Sequence, residues 1–185
     1  MANEFQRRKI LGVFDAMDVA GRGYLVEGDF AALAERWTTL RGLAPGSEQY
    51  EQLQAVMLGW WASLSYAAAE PQRVFLEDVM TVVDVLPGMA DAVRATADAM
   101  FVAIDENADN RISQAEYRQL IEAWNGRETD TDEVFDLLDL NGDGYISREE
   151  FRQLWTQFWA GDDPADPGTW VFGRLRRDRP VGSAW

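Results

Sequence analysis

The chain has 185 residues and a mass of 20.9 kDa, 47% hydrophobic and 12% aromatic, enough to bury a core in one globular domain or two packed halves. A net charge of -15 disfavours nucleic-acid partners, because a phosphate backbone would be repelled. The absence of Cys and His removes disulfides, thiolate chemistry, Ser/His/Asp triads and most zinc or haem sites.

Apolar residues recur at helical spacing almost throughout, and no run alternates convincingly with period two. Phe5, Lys9, Val13 and Phe14 begin a first helix, with Ile10 and Leu11 on its apolar side; Phe30, Leu33, Ala34 and Trp37 mark a second. Ser47 is placed to cap a long third helix carrying Leu53, Val56, Met57, Trp60, Trp61 and Leu64. Pro71 breaks it, and a short helix over 75–86 is stopped by Pro87-Gly88. Four more helical stretches are expected at 89–104, 114–125, 130–138 and 148–160. The expected fold is all-α, with about eight helices. No stretch reaches the ~18 apolar residues of a membrane span, and Met1 to Lys9 lacks the pattern of a signal peptide. A cytoplasmic monomer is expected, and 16 Arg against one Lys suggests a GC-rich bacterial source.

Residues 98–166 carry 18 acidic and 5 basic side chains, and two clusters of these acids fall in gaps between helices. The first gap runs from Asp105 to Glu116, the second from Asp139 to Glu150. Each places oxygen-bearing side chains at positions 1, 3, 5, 9 and 12 with Ile at position 8, which is the spacing of an EF-hand calcium loop. Short side chains at alternate positions point inward as the loop curls: Asp105, Asn107 and Asp109 in one loop, Asp139, Asn141 and Asp143 in the other. The backbone carbonyls of Arg111 and Tyr145 supply position 7, Ser113 and Ser147 act at position 9, and Glu116 and Glu150 close the sites as bidentate ligands. Position 6 needs a left-handed turn, which Gly144 takes freely and Asn110 tolerates. Ser113 with Glu116, and Ser147 with Glu150, also read as capping boxes, and Ile112 and Ile146 should pair across the two loops.

The N-terminal half holds two worn copies. Asp18 to Asp29 keeps the register but carries Ala20 and Arg22 at positions 3 and 5, so Arg22 offers a guanidinium where a cation would sit. Ala67 to Asp78 keeps Val74 and Asp78, with Ala67, Ala69 and Pro71 at positions 1, 3 and 5. The count is therefore four units and two calcium sites, with magnesium as a possible competitor. The domain reading is an N-terminal pair over 1–92, a C-terminal pair over 93–163 and a tail over 164–185 that packs on the core, its last residues mobile.

Four such units in about 175 residues resemble the calerythrin and sarcoplasmic calcium-binding protein family. The resemblance covers nearly the whole chain, and the tail Trp170-Val171-Phe172-Gly173-Arg174-Leu175 looks like the aromatic segment that family tucks against its core. It implies two EF-hand pairs packed into one compact globule, tight calcium binding and a non-enzymatic role as a calcium buffer or signal modulator. The family's first loop is ordinarily functional, and Ala20 and Arg22 depart from that pattern. Two alternatives stand beside it: a sensor that exposes an apolar groove to a partner protein, and a carrier or enzyme for an apolar small molecule. The second rests on eight Trp residues and on the face formed by Leu154, Trp155, Phe158 and Trp159. Coelenterazine-binding proteins and photoproteins share the architecture; the photoproteins depend on His, absent here. Core packing is the plainer role for most of these tryptophans. Arg174, Arg176, Arg177 and Arg179 read as a solvated tail.

Overall fold

The computed structural model describes residues 3–173. Among them run eight α-helices: α1 (Glu4–Met17), α2 (Glu27–Leu40), α3 (Glu48–Ala67), α4 (Leu76–Val85), α5 (Ala90–Ile104), α6 (Gln114–Asn125), α7 (Asp132–Leu138) and α8 (Arg148–Ala160). Short 3-10 turns occupy Leu86–Gly88 and Pro167–Trp170. The all-α reading is correct, with small boundary shifts. Pro87 and Gly88 fall in the first 3-10 turn, and α7 starts two residues late because the Asp130 side chain accepts the Asp132 N–H at 3.1 Å, a turn rather than a helix.

The α-helices pair around four gaps, and each gap ends in a two-residue strand: β1 (Tyr24–Leu25), β2 (Val74–Phe75), β3 (Arg111–Ile112) and β4 (Ile146–Ser147). β1 pairs antiparallel with β2, setting Leu25 opposite Val74, and β3 with β4, setting Ile112 opposite Ile146. All four are buried, and all four stand at position 8 of their twelve-residue gaps. Strands this short leave no alternating pattern to read.

One device starts the helix after every gap. The acid at position 12 is the third residue of that helix, and its carboxylate accepts the N–H at position 9: Asp29 from Val26, Asp78 from Phe75, Glu116 from Ser113 and Glu150 from Ser147, each at 2.8 Å. A carboxylate there fills an orphan donor and faces the positive end of the helix. Ser113 and Ser147 complete the box by accepting the N–H of Glu116 and of Glu150.

The helices close over a core to which both halves contribute. α2 packs on α3 and α6, and α5 on α8. Trp37, Trp124 and Trp155 are buried, and Trp60 meets Trp124, Trp155 and Trp159 at ring separations of 6.1, 5.6 and 5.6 Å. Phe172 lies 4.7 Å from the Trp124 ring and 4.8 Å from that of Phe158. The segment leading to it is held by the Tyr117 hydroxyl, which donates to the Trp170 carbonyl at 3.1 Å. Gly168 allows the approach, since a Cβ there would run into the Leu154 carbonyl and the Gln157 side chain. Arg174, Leu175, Arg176, Arg177, Arg179 and Trp185 lie outside the described residues.

Lys9 is fully buried on α1 and donates to the carbonyls of Phe158 (2.8 Å), Gly161 (2.9 Å) and Gln157 (3.1 Å) at the end of α8. Burial brings its pKa down to about 8, leaving an ammonium at neutral pH with one N–H for each carbonyl.

Candidate metal centre

The two acidic gaps have the same internal wiring. In the first, Asp105 Oδ1 accepts the Asp109 N–H at 3.1 Å and Oδ2 that of Asn110 at 3.0 Å. In the second, Asp139 Oδ1 accepts from Asp143 at 3.2 Å and Oδ2 from Gly144 at 2.7 Å. Asn107 and Asn141 each accept the N–H two residues on, at 3.0 and 2.9 Å, and Asp109 and Asp143 do the same at 3.0 Å. These turns curl the chain about the side chains at positions 1, 3 and 5. The acids at position 12 stitch the loops shut. Glu116 Oε1 accepts from Glu106 at 2.8 Å, and Glu150 Oε1 accepts from Asn141 at 3.2 Å.

Position 6 is left-handed in both, with φ of 64° at Asn110 and 86° at Gly144. Position 4 is left-handed as well, at Ala108 (φ 58°) and Gly142 (φ 73°), a requirement the sequence reading missed. Gly21 and Gly23, at positions 4 and 6 of the first gap, carried that signal. The position 7 side chains, Arg111 and Tyr145, stack on each other with the guanidinium 4.7 Å from the ring.

The oxygen donors are three carboxylates per loop, an Asn side chain, a Ser hydroxyl and backbone carbonyls, a set suited to a hard cation of variable coordination such as calcium. Among the described residues no three acids converge tightly enough to hold a metal by themselves. The carboxylates are turned onto loop N–H groups, and an ion here would need the amide and carbonyl oxygens as well.

The N-terminal gaps differ in what lies inside. Asp18 still accepts the N–H groups of Arg22 at 3.0 Å and Gly23 at 2.6 Å, so the curl persists. The Arg22 guanidinium then donates to both oxygens of Asp29, 2.6 Å to Oδ1, and lies 3.8 Å from Asp18. The chain's own cation bridges positions 1 and 12. In the gap from Ala67 to Asp78, Asp78 accepts the Ala69 N–H at 3.2 Å, and positions 1, 3 and 5 offer no side-chain oxygen.

Residues 94–156 match the family described as an EF-hand domain pair. That segment is similar to an EF-hand pair. The matched segment contains both acidic loops. Solved structures extend the likeness to nearly the full length. The coelenterazine-binding protein of Renilla muelleri is 23% identical with a TM-score of 0.72, covering 94% of this chain and 99% of that one. The amphioxus sarcoplasmic calcium-binding protein is 19% identical with a TM-score of 0.69 over the same shares. A Streptomyces coelicolor calcium-binding protein is 21% identical with a TM-score of 0.66, covering 85% of this chain and 99% of the other. Identities at this level establish a shared fold, so the resemblance to sarcoplasmic calcium-binding proteins is correct for the architecture. Curated protein sequences give no match.

An apolar cavity of about 280 Å³ lies between α3, α4, α5 and α8, lined among others by Trp60, Leu64, Val83, Val93, Trp155 and Trp159. Leu154 and Phe158, grouped with those tryptophans in the sequence reading, are buried away from it in the core. No helix among the described residues is long and apolar enough to cross a membrane.

Proposed function

We propose that the chain is a non-enzymatic calcium-binding protein with two sites, one in each acidic loop, and that it acts as a buffer or signal modulator. The observation that carries this is the wiring common to the two loops, where carboxylates at positions 1, 5 and 12 are each fixed by backbone N–H groups and no internal cation intervenes. In this reading Asp105, Asn107, Asp109, the Arg111 carbonyl, Ser113 and Glu116 hold one ion. Asp139, Asn141, Asp143, the Tyr145 carbonyl, Ser147 and Glu150 hold the other. Ser113 and Ser147 act through water.

The apolar interior of the C-terminal pair is already covered by helices of the N-terminal half and by Phe172, which favours a buffer over a sensor that opens onto a target. Calorimetric titration of stripped protein in magnesium-containing buffer tests the proposal. Two ions with dissociation constants of order 10⁻⁹–10⁻⁸ M are expected, whereas values nearer 10⁻⁷–10⁻⁵ M would favour a sensor. No binding, or a single site, would overturn the two-loop reading.

The cavity supports a second reading, a carrier for a small apolar molecule. At about 280 Å³ it lies at the lower edge of ligand-pocket volumes, and a buried Trp159 indole N–H at its wall has no partner. Native mass spectrometry of freshly purified protein would reveal a retained molecule. A clean protein mass, with no binding of lipophilic probes, would remove this reading.

A further inference from the structure

Two arginines on α2 reach across from the N-terminal half and end on the third EF-hand unit. Arg41, the residue that closes α2, is only 4% exposed; its guanidinium donates to the carbonyl of Ile104 and lies over the Trp37 ring. Ile104 is the last residue of α5 and immediately precedes Asp105, the first position of the acidic loop. The same guanidinium stands 4.0 Å from the Glu106 carboxylate and 3.4 Å from Gln119 Oε1 on α6. Arg36, one and a half turns earlier, donates from Nε to the Ala123 carbonyl at 2.9 Å, near the end of α6. Both carbonyls belong to the last turns of their helices, where acceptors lack an intrahelical donor and the helix dipole favours a cation.

The two contacts therefore grip the helix that leads into the loop at 105–116 and the helix that leaves it, from a single rigid element. An EF-hand loop takes its ligand geometry from the angle between those two helices, because the position 12 acid travels with the leaving helix while position 1 is fixed to the arriving one. We propose that Arg36 and Arg41 are positioning residues for the calcium site at 105–116: α2 sets that site's helix angle, so the N-terminal pair, whose own loops lack a ligand set, governs the affinity of one C-terminal loop. α7, which leads into the loop at 139–150, is held at its start by Arg118 of α6, whose guanidinium pairs with Asp132. The second helix of that loop, α8, meets the N-terminal half through Trp60 against Trp155 and Trp159 and through hydrogen bonds from Gln6 and Lys9 to carbonyls at its C-terminal end, away from the ligands. The proposal rests on the two-site calcium reading.

The test compares calcium titrations of the full chain with Arg36→Met/Arg41→Met, which keep the apolar stems and lose the donors, and Arg36→Lys/Arg41→Lys, which keep charge and a donor. The Met pair is expected to weaken one of the two sites by about tenfold or more and leave the other within about threefold. The Lys pair should recover most of the loss. Circular dichroism checks that each variant is folded; if the Met pair is not, Arg41→Met alone serves, with the same site-selective weakening expected. Equal weakening of both sites, no weakening, or equal loss in the Met and Lys pairs would overturn the positioning role. So would a tightened site in the Met pair, which would mean that the guanidinium acts by repelling the ion. If the unmodified chain took up no calcium, the two-site reading would fail first, and the positioning role with it.

Discussion

Arg22 supplies the sharpest test of why the first loop should be silent. Its guanidinium spans Asp18 and Asp29, whose side chains are 6% and 12% exposed, while Arg22 itself is 32% exposed. Arg22→Ala would leave those two sheltered carboxylates facing each other with no cation between them. A hydrogen bond to a charged group contributes about 1.5–3 kcal/mol, and the partial exposure of the guanidinium places this one at the lower end, about 1.5 kcal/mol. For a chain of this size that corresponds to a fall in Tm of about 3–6 °C, read by scanning calorimetry in chelator so that bound calcium contributes nothing. The complementary variant, Ala20→Asp/Arg22→Asp, restores acids at positions 3 and 5 beside Asp18 and Asp29. It should take up one more calcium ion than the unmodified chain, and the ion at a hundredfold excess over its dissociation constant should add about 2.7 kcal/mol of stability. An unchanged Tm in Arg22→Ala, or an unchanged ion count in the double variant, would refute the view of Arg22 as a tethered cation.

Glu150→Gln replaces a carboxylate that accepts two loop N–H groups with an amide offering one acceptor; calcium affinity at that loop should fall about a hundredfold, about 2.7 kcal/mol by titration. Unchanged affinity would sink the ligand assignment. Ala108→Gly relieves a left-handed alanine at φ 58°, and after the greater freedom of glycine in the unfolded chain it should stabilise the calcium-free protein by about 0.5–1 kcal/mol in urea unfolding. A loss of stability would contradict the strain argument. Asp98 is held below the usual carboxylate range by hydrogen bonds from Arg152 and then Arg148. Its contribution is therefore present above about pH 4 and lost as pH falls through the lowered folded value. Asp98→Asn should melt below the unmodified chain at pH 7, with the gap closing under pH 4; a gap independent of pH would assign the effect to packing.

The features that sequence reasoning found are those whose cause is local. Twelve residues contain the whole ligand pattern of each acidic loop, and the position 8 residues Leu25, Val74, Ile112 and Ile146 could be aligned before any contact was known. Ser47 as a cap follows from one side chain and the N–H of Tyr50, three residues away. Ala108 escaped notice because alanine carries no sign of a left-handed backbone; only the glycines at the equivalent positions 21 and 142 imply it. Nothing local marks the roles of Arg36, Arg41 and Lys9, since their acceptors are carbonyls 63 to 152 residues away and any residue type supplies a carbonyl. The cavity was half visible for a similar reason. Helical spacing put Leu154, Trp155, Phe158 and Trp159 on one face, but whether a face meets another helix, a returning tail or a void depends on partners remote in sequence.

The four units separate two jobs that a working EF-hand combines. One job is holding a pair of helices, done by the position 8 bridge and by the position 12 acid on the position 9 N–H, and all four units do it. The other is presenting oxygens inward, and the first two units have lost most of them. Tyr24 and Phe75 pack at 5.7 Å beside the first bridge, and the Arg22 guanidinium pairs with Asp29 inside the first loop, where the C-terminal loops carry Asp109 and Asp143 at the matching position. The C-terminal acidic loops lack that neutralising arrangement and concentrate the chain's acidic excess. Without calcium they carry the repulsion of their own carboxylates. The half with the worn loops is the one that sends Lys9, Arg36 and Arg41 onto the helix ends of the other. On the two-site reading, that asymmetry would make the worn half the frame on which the calcium-binding half is held, through side chains that end on its helix carbonyls.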